Sequence, residues 1–194
     1  MDCDSGRALL DRGTSTTTDL VVPTGRSFTT NLFPFEDPEG ENLGEVIIER
    51  NPTGAAAWVN SSGLTPSNAY TLWWTIWNDP MLCDGLCREP DVGLPANSVF
   101  FAASGIASSA GDLSFHARTS ADGSIDGAAL IPGGLTAPMR ATIHLVVKDH
   151  EPALVGDALI AQLTQYETLA TEGEVAGNGL TVDVQAAIND GPIP

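Results

Sequence analysis

The chain of 194 residues is long enough for one domain whose core needs neither disulfides nor metals for its bulk stability. Its 8 basic and 25 acidic side chains give a formal net charge of −17, which repels nucleic acid and anionic lipid and excludes both as expected partners. No apolar run reaches the roughly 18 residues of a transmembrane helix, so we predict no membrane span. The acidity fits divalent-cation binding or a saline habitat as well as an ordinary solvated surface.

Short runs of residues between Gly, Pro, Asn and Asp predict strands along most of the chain. These strands span residues 19–22, 45–50, 55–60, 69–77, 98–106, 112–118, 125–130, 140–148 and 180–188. Residues 1–18 are interpreted as an N-terminal arm and 31–44 as a long loop, and apolar residues at helical spacing predict a helix over 151–167. The pattern predicts one mainly β domain over residues 19–194, an antiparallel, jelly-roll-like β-sandwich with one short helix.

The predicted strand 69–77 places two tryptophans on the less apolar of its two faces. One face carries Tyr70, Leu72, Trp74 and Ile76, and the other carries Thr71, Trp73, Thr75 and Trp77. Trp73 and Trp77 would be spaced by about 13 Å, a separation that suits stacking on two sugar rings of a polysaccharide. The alternative is a central strand covered on both faces, with the N-terminal arm as one cover.

Cys83 and Cys87 enclose only three residues, and Gly85 among them eases the tight turn that a disulfide requires. We therefore predict a disulfide between them. A metal pair is the alternative, but the second pair of soft ligands that such sites use is missing. Cys3 is the odd cysteine, and a lipid anchor, an intermolecular bridge and a free thiol all stay open for it.

The three histidines are candidate metal ligands on outward-facing or loop positions. His144 and His150 would lie about 20 Å apart in a continuous strand, so they could share a metal only if the chain turns sharply between them. His116 and His144 could instead form a cross-strand pair if their strands are neighbours. The alternative is three histidines with ordinary polar-face or loop positions.

The segment Asp122-Gly-Ser124-Ile-Asp126-Gly matches the opening of a calcium loop, in which alternating oxygen ligands surround the cation. The twelfth position, where a bidentate Glu belongs, is Gly133. Calcium is thus a speculative cofactor here, and an Asp-Gly turn between two strands explains the same residues.

Catalytic motifs are scarce along the chain. It has no Gly-x-Ser-x-Gly elbow, no His-Glu-x-x-His, no phosphate-binding glycine loop and no dinucleotide fingerprint. A pair of acids for glycoside hydrolysis needs only the right separation in space, and 25 acidic residues do not identify one. The sequence therefore favours a noncatalytic protein without deciding the question.

Four segments together resemble a group of exported bacterial proteins of uncharacterised activity. They are LTPSNAYTLWWTIWNDPMLCDGLC (64–87), SVFFAASGIA (98–107), ATIHLVVKDHEPAL (141–154) and TVDVQAAIND (181–190). The similarity covers about residues 55–190 and implies a β fold and export, but no catalytic residue. Because the N-terminus MDCDSGRALLDRG lacks a signal-peptide apolar stretch, export implies a signal already removed.

Members of that group often carry His at the position of Asn68 and near Asn189, and a second cysteine pair before the last strand. This chain has neither feature, which lowers the expectation of a metal site.

We expect a secreted or cell-surface, noncatalytic binding or structural module. Residues 14–28, with Leu20, Val21 and Val22 flanked by Thr and Pro, could complete the sheet of a neighbouring subunit by strand addition and so form a homo-oligomer or filament. The alternative is that this segment pairs within its own chain. One alternative is glycan binding through Trp73 and Trp77. Another is a metal-binding protein or metal-dependent enzyme that uses His116, His144 or His150.

Overall fold

The computed structural model describes residues 25–37, 39–164 and 182–189, which contain nine strands and one α-helix. The strands are β1 (Arg26–Pro34), β2 (Gly44–Asn51), β3 (Gly54–Ser61), β4 (Asn68–Trp77), β5 (Asn97–Ile106), β6 (Leu113–Ser120), β7 (Ala129–Ile131), β8 (Thr142–Pro152) and β9 (Val182–Asn189). The helix α1 is Asp157–Thr164, and two 3-10 turns are Pro80–Leu82 and Glu89–Asp91. No helix among the described residues has the length and hydropathy needed to cross a bilayer.

All nine strands form one antiparallel, curled sheet in the order β6-β3-β2-β1-β9-β8-β4-β5-β7. Strand β1 joins the two halves of the sheet, because its first seven residues pair with β2 and its last two, Phe33 and Pro34, pair with β9. Pro34 has no N–H to donate, which suits its position at the end of a strand. The prediction of a mainly β, antiparallel architecture with one short helix is confirmed.

The core lies inside the curl and is shared by both halves of the sheet. Strand alternation turns Val46 and Ile48 of β2 inward, where they meet Trp74 of β4 and Leu145 of β8 in one cluster. All four of these side chains have no exposed surface. Their burial accounts for the alternating pattern in β2, since Glu45 and Glu49 take the outward positions.

Arg50, at the end of β2, is a buried cation that ties three parts of the sheet together. Its guanidinium donates to the backbone carbonyl of Ala141 and to the side chain and carbonyl of Asn189, and it lies 5.3 Å from the ring centroid of Phe28. Burial lowers the pKa of Arg50 to about 10. Carbonyl and amide oxygens therefore take the place of water around the buried guanidinium, and no carboxylate does so among its described contacts.

Most predicted strands are confirmed within a few residues, but three predictions need correction. Residues 26–34 form β1, so the prediction of a loop over 31–44 is wrong for its first four residues. Asn31 and Pro34 are typical of loops, and they led to this prediction. The helix begins at Asp157 instead of residue 151, because β8 continues to Pro152. The strand expected at 125–130 is limited to β7. The arm 1–18, the strand 19–22 and the end of the predicted helix at 165–167 lie outside the described residues.

Candidate functional site

A groove of about 540 Å³ lies on the face of the sheet opposite the core, across β9, β8, β4 and β5. We call it the outer groove. Antiparallel register aligns its floor: Trp73 stands opposite Val146 on β8, and Val146 in turn stands opposite Ala186 on β9. His144 is aligned in the same way between Thr75 and Ile188. The lining comprises Phe33, Pro34, Phe35, Glu36, Trp73, Thr75, Trp77, Arg88, Glu89, Pro90, Val92, Val99, Leu130, His144, Val146, Lys148, Ala186 and Ile188.

The loop between β4 and β5 (residues 78–96), which contains both cysteines and which we call the cysteine loop, forms part of one wall of the outer groove. The sulfur atoms of Cys83 and Cys87 lie at disulfide distance, 2.07 Å. The indole N–H of Trp77 donates to the carbonyl of Asp91 at 3.0 Å, and the backbone N–H of Arg88 donates to the Asp91 carboxylate at 2.9 Å. These bonds hold the loop against the end of β4, so Arg88 and its neighbours border the groove.

Trp73 and Trp77 lie on the face opposite the core, as the alternation predicts, but both rings are covered. Their exposed fractions are 1% and 2%. The indole N–H of Trp73 donates to the hydroxyl of Thr71 at 2.8 Å, and its ring meets Phe101 edge-on with 6.3 Å between centroids. The two tryptophans are therefore the floor of a groove and not an exposed platform.

Two basic side chains approach these rings. The ammonium of Lys148 lies 5.9 Å from the centroid of the Trp73 ring, within the range of a cation–π contact. The ring of His144 meets Trp77 edge-on with 4.8 Å between centroids. Lys148 lies four residues after His144 on β8, so strand alternation predicts that both side chains are on the same face. Arg88 lies in a loop, and alternation makes no prediction for a loop residue.

The three histidines do not come together. His116 lies on β6, where its ring stacks on Trp58 of β3 with 5.1 Å between centroids. Four strands separate β6 from β8 in the sheet, so the cross-strand pairing of His116 with His144 does not form. Within the part of the chain that the structure describes, no group of three His, Cys, Asp or Glu side chains is placed to hold a metal ion.

Asp149, where β8 runs beside the start of β4, is the centre of a polar network. Its carboxylate accepts hydrogen bonds from the side-chain amide of Asn68 at 2.9 Å, from the hydroxyl of Tyr70 at 2.9 Å and from the backbone N–H of Glu151 at 2.7 Å. The Tyr70 oxygen also accepts from the N–H of Thr65. Burial and the neighbouring carboxylate raise the pKa of Tyr70 to about 12, because both disfavour the phenolate.

His150 is buried beside this network, one residue further along β8. Its Nε2 lies 2.7 Å from the hydroxyl oxygen of Thr71, and its backbone carbonyl accepts from the amide of Gln162 on α1 at 2.6 Å. Burial is the main cause that lowers the pKa of His150, and the charge of Lys148 acts in the same direction. His150 thus contacts helix α1 through its backbone carbonyl and Thr71 of β4 through its ring.

The predicted calcium residues lie in the exposed loop between β6 and β7. One carboxylate oxygen of Asp122 accepts from both the N–H and the hydroxyl of Ser124, at 2.9 and 2.6 Å, and these two bonds lower the Asp122 pKa. Gly123 has φ +78°, the left-handed conformation that favours Gly in a turn. This Asx turn accounts for the spacing of Asp122 and Ser124; calcium binding with Asp126 stays a prediction.

A second candidate site is the outer edge of β6, which has no pairing strand within residues 25–37, 39–164 and 182–189. The N–H of Ala121 donates to the carbonyl of Thr53, and hydrogen-bonded pairs alternate along an antiparallel ladder. Pairing of β6 with β3 therefore uses alternate residues, and the intervening ones turn their N–H and C=O groups away from β3. Those residues are Ser114, His116, Arg118 and Ser120, and all four are exposed.

A second cavity, of about 610 Å³, lies between this edge and β5. It is lined by residues 118–120 at the end of β6, by residues of β2, β3 and their turn between Glu49 and Trp58, and by Phe100, Phe101 and Ala102 of β5. At the opposite end of the two strands, Gly105 and Leu113 pack so closely that a Cβ on Gly105 would lie 2.7 Å from a methyl of Leu113. Among the described residues, β6 has β3 as its one neighbour in the sheet.

Comparison of the chain with protein-family models, with curated proteins and with solved structures gives no match.

Proposed function

We propose that the protein is a noncatalytic, extracellular structural or binding module that joins copies of itself by strand addition at the outer edge of β6. The observation that carries this proposal is that, among the described residues, β6 pairs on one side only: it presents the outward backbone groups of four exposed residues over an eight-residue strand. Such an edge is a template for an additional strand unless charges, prolines or bulges blunt it. Strand β6 has no proline and no register shift, and Arg118 is its one residue with a permanent charge.

The cavity between β6 and β5 gives the added strand a place. A strand laid along His116 and Arg118 would bond their outward N–H and C=O groups and cover part of Phe101 and Ala102. Main-chain hydrogen bonds would supply affinity, and the partly buried apolar groups of β5 would favour alternating apolar side chains in the incoming strand.

We propose residues 14–24 of a neighbouring copy as the donor segment. The longer segment 14–28 is shortened here, because Arg26, Ser27 and Phe28 pair with β2 of their own sheet. The remaining sequence, TSTTTDLVVPT, is rich in β-branched residues, which favour an extended conformation. The formal charge of −17 on each copy opposes association, so assembly should strengthen as salt screens this repulsion.

We infer in addition that the curled sheet works as a jelly-roll-like β-sandwich, since both of its halves share one core. A strand added between β6 and β5 would bridge part of the gap between the two ends of the sheet. An extracellular location is supported by the cysteine pair at disulfide distance, because such bonds persist in oxidising compartments. The glycan and metal alternatives have less support, because the tryptophans are buried and the histidines are dispersed.

Multi-angle light scattering tests strand addition directly. We expect wild-type protein to elute as oligomers or polymers, and deletion of residues 1–24 to yield monomer. Arg118→Pro should also yield monomer, because it removes an outward N–H without removing a bond of the β3–β6 ladder. Arg118→Ala is the matched control, since it removes the same side chain and keeps the N–H. A monomeric wild type, or polymers that survive both the deletion and Arg118→Pro, would disprove the proposal.

A further inference from the structure

We propose that Asp19 of one copy pairs with Arg118 of its neighbour when the donor segment 14–24 adds to β6, so that the added strand runs antiparallel to β6 in one fixed register. The inference rests on the proposed strand addition and goes further, because it names the contacts that select the register. Three observations carry it: the two faces of β6, a buried hydroxyl on its core side and the single charge of the donor segment.

The two faces of β6 differ in the side chains that they can accept from a new neighbour. Phe115 and Ala117 are buried and belong to the core cluster, whereas His116 and Arg118 are exposed. Residues that stand directly opposite one another in neighbouring strands lie on the same face. An incoming strand should therefore place apolar side chains opposite Phe115 and Ala117, and polar ones opposite His116 and Arg118.

Thr119, on the core side of β6, has a buried hydroxyl oxygen without a hydrogen-bond partner among the described residues. A hydroxyl that has lost its water and gained no partner costs free energy, so a group that bonds to it would stabilise the assembly. Thr119 also lines the cavity between β6 and β5. A threonine directly opposite Thr119 in the added strand would supply the missing partner.

The donor segment meets all of these requirements in one arrangement. Asp19 is its single charged residue, and burial of an unpaired carboxylate is costly, so Asp19 belongs opposite an exposed residue of β6. We place it opposite Arg118, which turns its backbone groups outward. In the antiparallel direction three further pairs follow: Thr18 with Thr119, Leu20 with Ala117, and Val22 with Phe115. The apolar residues then cover the core side, and the buried hydroxyl gains a threonine.

Other arrangements meet fewer requirements. A slip by one residue turns Asp19 toward the core side and the apolar side chains toward the exposed side. A parallel strand with Asp19 opposite Arg118 would set Leu20 against the Thr119 hydroxyl. A slip by two residues keeps the faces, but Asp19 would then lie opposite His116 or Ser120, neither of which carries a permanent charge. The charge of Arg118 therefore decides among the registers that the faces allow.

The pair selects the register more than it adds affinity. Glu49 and Asp126 also line the cavity, so the local charge does not by itself attract an acidic segment. Glu49 stands two strands from Arg118, about 10 Å across the sheet, whereas a residue directly opposite Arg118 would be about 5 Å away. Exposed charge pairs contribute little affinity, and their main effect is on specificity and register.

Disulfide trapping tests the register, in a Cys3→Ser background that keeps the native cysteine pair. Thr18→Cys combined with Thr119→Cys creates a non-hydrogen-bonded antiparallel pair, whose spacing suits a disulfide. We expect mild oxidation to yield a ladder of covalent oligomers on a nonreducing denaturing gel. Thr16→Cys combined with Thr119→Cys is the matched control, because it traps only the register that is slipped by two residues. It should give less than about one tenth of the cross-linked product.

Charge exchange tests the pair itself, with light scattering as the measure of association. Asp19→Arg removes one acid and adds one base, so the net charge changes from −17 to −15, which alone would strengthen association. The pair predicts the opposite, an association about fivefold weaker, because two cations would face each other. Adding Arg118→Asp should restore association to within about twofold of the wild type. Arg140→Asp, an equal charge change at an exposed position outside the cavity, should not restore it.

The outcomes separate the register from strand addition itself. A monomeric wild type, or polymers that survive deletion of residues 1–24, would refute both. Polymers that need residues 1–24 but cross-link equally well in the Thr16→Cys control, or that Arg118→Asp does not restore, would overturn the register and leave strand addition standing. A disulfide that closes within single chains of the Thr18→Cys, Thr119→Cys protein would assign the segment to its own sheet and overturn both proposals.

Discussion

The hydroxyl oxygen of Thr71 lies 2.7 Å from Nε2 of His150, and the same oxygen accepts the indole N–H of Trp73 at 2.8 Å. With a neutral His150 that carries its proton on Nδ1, the Thr71 hydroxyl can donate to Nε2 while its oxygen accepts from Trp73. Protonation of the ring would place two donors toward the same oxygen and leave the hydroxyl proton without this acceptor. The floor of the outer groove is thus coupled to the protonation state of His150.

We predict that stability falls as the pH is lowered from about 7 to 5, in part through His150. Its pKa is lowered in the folded state, so the unfolded chain binds the proton more readily once the pH drops below about 6.5. One such group contributes a slope of at most about 1.4 kcal/mol per pH unit. Urea unfolding across this range should show a shallower dependence for His150→Gln than for the wild type.

The matched control for this prediction is His116→Gln, on the exposed edge strand β6. It shows how far the loss of a histidine at an exposed position changes the measured slope. Equal slopes for His150→Gln and the wild type would contradict a neutral, buried His150.

The network around Asp149 predicts an opposite dependence at alkaline pH. The pKa of Tyr70 is raised to about 12, so the folded state holds the phenolic proton more tightly than the unfolded chain does. Its contribution is complete below about pH 10 and is lost as the pH rises from 10 to 12. Because the chain has 2 tyrosines, a Tyr166→Phe variant leaves Tyr70 as the sole phenol. Its absorbance at phenolate wavelengths should titrate near pH 12, and titration near 10 would refute the network.

Arg50 should be important for stability although no carboxylate accompanies it among its described contacts. Arg50→Met leaves the carbonyl of Ala141 and the side chain of Asn189 without their donor, so we expect a loss of about 1–3 kcal/mol. Arg26→Met, on the exposed neighbouring position of β1, should change the free energy of unfolding by less than about 0.5 kcal/mol. Equal denaturant midpoints for the two variants would show that the buried guanidinium contributes nothing.

The sequence predicted most strands because their boundaries carry local signals. Gly, Pro, Asn and Asp end the runs, and the period of two in β4 assigned Trp73 and Trp77 to the face away from the core. The missed strand β1 shows the limit of such signals, since Asn31 and Pro34 are typical of loops. They lie in a strand here because β2 and β9 flank β1.

The candidate site was predicted less completely. Alternation placed His144 and Lys148 on one face, but the burial of the two tryptophans depends on neighbours from other parts of the chain. Arg88 borders the groove because of the way the cysteine loop folds, and the periodic patterns of strands and helices do not predict the conformation of such a loop. The position of β6 at one end of the described sheet could not be assigned either, because a strand sequence does not reveal whether one or two partners flank it.

The sequence by itself determined the properties that depend on near neighbours: the β class, the faces of β4, the close cysteine pair and the strongly acidic charge. Only the tertiary structure decided that β9 lies between β1 and β8, that four strands separate His116 from His144, and that Ala186 and Ile188 extend the floor of the groove. The physical reason is that side-chain alternation is a property of each strand alone. Strand order depends instead on which distant edges bond to one another, and this is set by the packing of the whole sheet around its core.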